Sequence, residues 1–245
     1  MATRRALLAA VPPSLTHQHR WAKLWWGALL VAALIGLTFL GVLQLRAQPG
    51  DATAATHPLT AMSRVPTHRW ESVAGVKLPV SVAYGPHDET DGRASGYGRR
   101  KEGAALAAAQ VLMRTSATAG SAVFLPVLAS QVAGANTAAF KASTLEQYEQ
   151  LRNQSGVPDG EPIPNADARV AGYVVRSYSD TAATVEVVVD SPALRASARL
   201  ISFVVSLSWS YGDWRVLAPP RGDWGSVATQ LGAPPVGMLT YDQIG

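Results

Sequence analysis

The run Leu24–Leu45, LWWGALLVAALIGLTFLGVLQL, holds no charged residue. At about 1.5 Å per residue, a helix of this length covers roughly 33 Å, against a bilayer hydrocarbon core of about 30 Å. Membrane insertion is therefore the expectation. Trp21, Trp25 and Trp26 gather at one end, where indole rings favour the headgroup level. Arg20 and Lys23 precede the run and Arg46 alone follows it. The positive-inside rule then places the N-terminus in the cytoplasm and residues 46–245 outside. A cleaved signal peptide would carry a shorter apolar region ending in small residues. Here Leu45 and Arg46 stand where small residues belong, which favours an uncleaved anchor. Ala28, Ala32 and Gly36 fall four apart, a small-residue stripe along which two such helices can pack. Alanine is common throughout the chain, so chance spacing is the other account.

Charge divides the same way. The 245 residues carry 21 Lys/Arg and 17 Asp/Glu, and residues 1–23 contain Arg4, Arg5, Arg20 and Lys23 with no acid. The remainder therefore balances, 17 against 17. A nucleic-acid groove needs a basic face on the folded body, and none is expected on the outer domain. The absence of cysteine excludes disulfides and thiolate metal sites.

Along the whole chain, six regions are expected. They are a basic tail (1–23), the membrane helix (24–45), a Thr/Pro-rich linker (46–69), an extended arm and loop (70–98), a folded domain (99–225) and a C-terminal tail (226–245). Within the domain, RRKEGAALAAAQVLMRT predicts a helix over about 100–114, with small residues along the face that meets a sheet. SAVFLPVLASQV predicts a second helical piece, kinked or opened by Pro126. NTAAFKASTLEQYEQLRNQSG predicts a third, capped by Asn136, ended by Gly156 and carrying a Phe140–Leu145–Tyr148–Leu151 stripe. The period then changes to two. Strands are expected at about 168–178, 182–190 and 196–210, with a last one in WRVLAP. Helices followed by a meander imply an α+β fold, with about three helices on a curved antiparallel sheet of about four strands, behind a single transmembrane helix.

Gly-Asp-Trp occurs twice, at 212–214 and 222–224. The first suits a tight turn, with Gly212 free to take positive φ, Asp213 bonding locally to the backbone, and Trp214 covering the apolar face of the sheet. The second follows Pro219–Pro220, which cannot continue a central strand. It is expected to fold the tail back so that Trp224 plugs an edge.

This order of elements, closed by the hairpin YGDWRV, resembles the nuclear-transport-factor-2-like cone. Behind one membrane helix it resembles the channel subunits of type IV secretion and conjugation machines. The stretches GVKLPVSVAYGP, GYGRRKEGAALAAAQVLMRTS, GYVVRSYSDTAATVEVVV and GDWRVLAPPRGDW are similar to a family carried by actinobacterial conjugative elements, over roughly residues 70–225. That resemblance implies a non-catalytic scaffold that self-associates and binds other channel subunits, among them a conjugation ATPase and a polytopic membrane protein. Accessory subunits of Mce-type envelope lipid transporters look similar. A membrane-tethered ligand-binding or catalytic cone is a third reading.

No motif points to chemistry. The histidines are His17, His19, His57, His68 and His87, so a His-based triad or zinc site in the last 158 residues is excluded. Glu186 and Asp190 stand opposite the Val185–Val187–Val189 face and are expected to point to solvent. No catalytic residue, cofactor or metal is expected. Arg99, Arg100 and Lys101 oppose the dipole at a helix start and mark either a solvated surface or a partner contact.

Overall fold

The computed structural model describes residues 68–164, 168–191 and 199–241, all within the unit Leu59–Gly245. Ten strands are described: β1 (His68–Val73), β2 (Val76–Ser81), β3 (Asp88–Thr90), β4 (Arg93–Ser95), β5 (Val132–Ala133), β6 (Arg169–Tyr178), β7 (Ala182–Asp190), β8 (Leu200–Ser210), β9 (Asp213–Leu217) and β10 (Ala228–Leu231). The α-helices are α1 (Lys101–Arg114), α2 (Ser121–Ser130) and α3 (Thr137–Ser155).

The architecture corrects the expected one. Strands β6 to β9 form an antiparallel meander, but they are only the middle of an eight-stranded mixed sheet ordered β1-β2-β6-β7-β8-β9-β5, with β10 paired to β8. The stretch expected to be an arm and loop supplies two hairpins. One is β1–β2, joined to β6 by a parallel pairing at Lys77 and Arg169. The other is the separate β3–β4 pair. Strand β5 adds to β9 in parallel. Among the described residues no helix is long and apolar enough to cross a membrane; the Leu24–Leu45 run lies outside them.

The physical reason for the larger sheet is visible in β7. Val185, Val187 and Val189 are buried on one face, and Glu186, Val188 and Asp190 are buried on the other. A strand covered on both faces lies inside its sheet, here between β6 and β8. Helix α1 crosses the inner face. Residues Gly103–Leu112 are all buried, because alanines let the helix backbone sit close to β2, β6, β7, β8 and β9 at once. Gly103 is required there: a Cβ would lie 2.0 Å from the Gly98 carbonyl oxygen.

Helix α2 runs through Pro126, and Ser130 Oγ donates to the Pro126 carbonyl at 2.7 Å. In α3 the buried stripe is Phe140, Thr144 and Tyr148, while Leu145 and Leu151 pack at its margin. Asn136 makes no side-chain cap; its amide donates to the Pro220 carbonyl instead, at 2.9 Å. Gly156 ends the helix at φ 70°.

The C-terminal segment belongs to the fold. After β10 the chain passes to the far edge of β6, where Leu239 and Tyr173 exchange two backbone hydrogen bonds of 2.9 Å. Gly172 stands opposite Val188 on the outer face, and a Cβ there would meet Leu239 O at 2.5 Å. Tyr241 then enters the core, its hydroxyl donating to the Ala105 carbonyl of α1 at 3.2 Å and its ring 4.9 Å from Tyr173. Burial pushes the hydroxyl of Tyr241 well above its usual pKa, and burial raises that of Tyr173 to about 12.

Candidate functional site

The two Gly-Asp-Trp triplets do different work. Tyr211 and Gly212, at φ 54° and 81°, make the two-residue turn between β8 and β9, as primed hairpin turns require. Asp213 reaches beyond its own turn. Its carboxylate accepts from the N–H groups of Gly96 (2.9 Å), Tyr97 (3.1 Å) and Trp214 (2.8 Å), so it ties the entry of α1 to the hairpin. Trp214 is fully buried, donates from Nε1 to the Gly98 carbonyl at 3.1 Å, and meets Trp209 edge to face. In the second triplet Asp223 caps a short 3-10 turn, accepting from Ser226 N at 2.8 Å. Gly222, at φ 71°, lies against Ala139 and Phe140 with no room for a Cβ. Trp224 packs edge to face on Phe140 and donates to Thr115 Oγ1 at 3.0 Å. It closes the space between α1 and α3, not the edge of the sheet.

Arg99, Arg100 and Lys101 are exposed at the start of α1. Arg99 is held in place: Nε donates to the Asp180 carbonyl at 2.7 Å, and its guanidinium lies 5.3 Å from the Trp209 ring centroid. Tyr178 donates to the Arg99 carbonyl at 2.9 Å. Arg100 occupies the N-cap position without a side-chain cap. The result is a small cationic surface on a rigid base.

Two recesses flank this frame. An apolar one of about 270 Å³ lies between the inner face of the sheet, the end of α1 and α3, walled by Met113, Phe140, Leu151, Ile201, Phe203 and Trp224. A polar one of about 230 Å³ lies between the β3–β4 hairpin, the end of α2 and the β8–β9 turn.

The carboxylates are engaged elsewhere. Glu186 and Asp190 do stand opposite the valine face, but they are buried instead of solvated. Arg176 covers Glu186, and Arg169 and Arg199 clamp Asp190 at 3.2 and 3.0 Å. The guanidinium groups themselves bind the carboxylates and stay partly exposed, so the acids are covered while the arginines remain near water. Nothing in the alternation of the strand reveals these lids, since their partners sit on neighbouring strands. A second cluster escaped sequence reasoning entirely. Arg114, nearly buried at the end of α1, donates to Gln110 (3.0 Å), to the Gly92 carbonyl (2.7 Å) and to Glu89. Glu71 of β1 lies near Glu89, and each carboxyl group shifts the titration of the other. Burial and the neighbouring Glu71 hold Glu89 above the usual carboxylate range against the charge of Arg114. For Glu71, burial acts upward but is outweighed by Arg69, Glu89 and Arg114, so it falls below that range. The buried hydroxyl of Tyr97 finds no partner, and burial pushes its pKa far up. No group of three His, Asp or Glu side chains among the described residues could hold a metal.

The anchor residues Trp21, Trp25 and Trp26 and the stripe Ala28, Ala32 and Gly36 lie outside the described residues. Residues 44–233 match the model of a family described as a domain of unknown function, DUF8175. No curated protein and no solved structure matches the chain.

Proposed function

We propose that this chain, which belongs to the DUF8175 family, is a non-catalytic, membrane-anchored scaffold subunit of a conjugative DNA-transfer or type IV secretion channel. One observation carries the reading: an uncharged Leu24–Leu45 run precedes a body in which several acids are taken up by internal contacts. Glu186 and Asp190 serve arginines, Glu89 serves Arg114, and Asp213 and Asp223 serve backbone N–H groups. A body built this way offers surfaces to partners. The apolar run holds it near the membrane on the extracytoplasmic side, which raises its effective concentration toward neighbours held in the same layer. Weak contacts between copies, and at Arg99–Lys101 with an acidic partner surface, then suffice for assembly.

Amine-reactive crosslinking in native membranes tests this, because Lys101 is exposed and lysines are few. Expected products are self-crosslinks together with a conjugation ATPase or a polytopic channel protein. Arg100→Glu with Lys101→Glu should deplete the partner band. Recovery of lipid-transport proteins alone overturns the assignment. It would favour an accessory subunit of an envelope lipid transporter, for which the apolar recess beside Phe203 and Trp224 speaks.

A further inference from the structure

We propose that the polar cleft between the β3–β4 hairpin, the end of α2 and the β8–β9 turn binds a neutral pyranose sugar. The argument begins with Gln131, which is 6% exposed and lines the cleft. Its backbone is fixed on both sides, by the Gln131 N–H to Val127 O at 2.8 Å and by Val216 N–H to Gln131 O at 3.0 Å. Its amide nitrogen donates to the Ala94 carbonyl. Its Oε1 is buried and has no partner. Turning the amide over brings no relief, because Oε1 would then face the Ala94 carbonyl, acceptor against acceptor. The wall of the cleft thus holds an unsatisfied acceptor just beneath its surface, which an incoming O–H or N–H would reach through a small shift of the Gln131 side chain.

The second observation is Tyr211. A bulky side chain at φ 54° occupies a conformation that favours Gly, Asn or Asp. No burial compensates, since Tyr211 is 90% exposed. Strain retained at an exposed residue points to a use for the side chain. The ring carries the Arg215 guanidinium 4.5 Å from its centroid, and Arg215 makes no ion pair among the described residues. Ring and guanidinium together form a wall with an apolar face and unused donors.

Charge selects the ligand. Arg93 and Arg215 are offset by Asp88 and Asp213 in the same lining, and Asp213 is already saturated by backbone N–H groups. An anion would gain from the arginines and be repelled by Asp88. Vicinal hydroxyl groups, each a donor and an acceptor, match guanidinium donors, the Asp88 and Gln131 acceptors, and the Ser95 and Ser210 hydroxyls together. The C–H face of the ring would rest on Tyr211. At about 230 Å³ the cleft is smaller than drug-sized pockets and suits one sugar ring, either free or as a unit of a longer glycan.

The test is calorimetric titration of the full chain in a sugar-free detergent with glucose, N-acetylglucosamine, chitotetraose, glucuronate and inorganic phosphate. Intrinsic tryptophan fluorescence serves as a second readout, since Trp214 lines the cleft. Saturable binding of a neutral sugar is expected, tighter for the tetramer if a glycan is the source and equal per ring if a free sugar is. Gln131→Leu should weaken it about 10-fold. Tyr211→Asn should raise the melting temperature, because Asn suits the turn, and still weaken binding about 5-fold. No saturation at sugar concentrations up to about 50 mM overturns the proposal. So does binding of glucuronate or phosphate alone, or unchanged affinity in Tyr211→Asn.

Discussion

Asp213→Asn isolates the contact that joins α1 to the closing hairpin. The carboxylate accepts three backbone N–H bonds, two at Oδ1 (Tyr97, Trp214) and one at Oδ2 (Gly96). An asparagine of the same shape keeps the Oδ1 bonds but loses their charge assistance, which is worth about 1 kcal/mol for each part-buried bond. The new NH2 group then faces the Gly96 N–H, donor against donor, and that bond is lost. It lies at the surface, where water compensates, so roughly 0.5–1 kcal/mol is assigned to it. The sum is about 2–3 kcal/mol. For a domain of this size that corresponds to a melting temperature lower by roughly 5–10 °C. Near-UV circular dichroism of the full chain follows the transition through the buried Trp214, and hydrogen exchange reports Gly96 and Tyr97 directly. Exposed Asp88, which bonds only Thr90 at 3.4 Å, supplies the control: Asp88→Asn should change stability by less than about 0.5 kcal/mol. A melting temperature within a degree or so of the native protein, with Gly96 and Tyr97 amides still protected, would refute the assignment of Asp213 as a tie.

Other perturbations probe other joints. Glu89 holds its proton above the usual 4.5, so the folded chain retains a proton that the unfolded chain has released, and this contribution to stability declines as pH rises from 4.5 through the raised value. Glu71, held below 4.5, contributes stability above 4.5 that is lost as pH falls through its folded value. Glu71→Gln removes one reason for the raised Glu89, so the decline above pH 4.5 should shrink in urea unfolding measured across that window; an unchanged slope would show that the two groups do not share a proton. Gly172→Ala places a Cβ 2.5 Å from Leu239 O and 3.0 Å from Met238 Cγ. It should expel the C-terminal segment, cost about 1–3 kcal/mol and expose the Leu239 amide to exchange, whereas continued protection there would contradict the packing described.

Much of the local structure is written in the chain. The alternation of Val185, Val187 and Val189 sets the faces of β7, Gly156 marks the end of α3, and the alanine run dictates that α1 lies close on a sheet. The Ala74–Gly75 turn, at φ 50° and 80°, is also a legible hairpin signal between two alternating runs, though an arm was expected there. Lone charges, cancelling over residues 24–245, and the uncharged Leu24–Leu45 run are properties of the sequence alone. What only the tertiary structure decided is who pairs with whom. The β1–β2 hairpin joins β6 through one parallel pairing, a two-residue β5 extends β9, and β10 shares β8 with β9. Asp213 finds Gly96 and Tyr97 more than a hundred residues away, and the arginines settle over Glu186 and Asp190 from adjoining strands. Periodicity reports which way a side chain points relative to its own backbone, within a window of a few turns or pleats. Partner choice is settled by the total burial and hydrogen bonding of the assembled body, and a strand two residues long has no period to read.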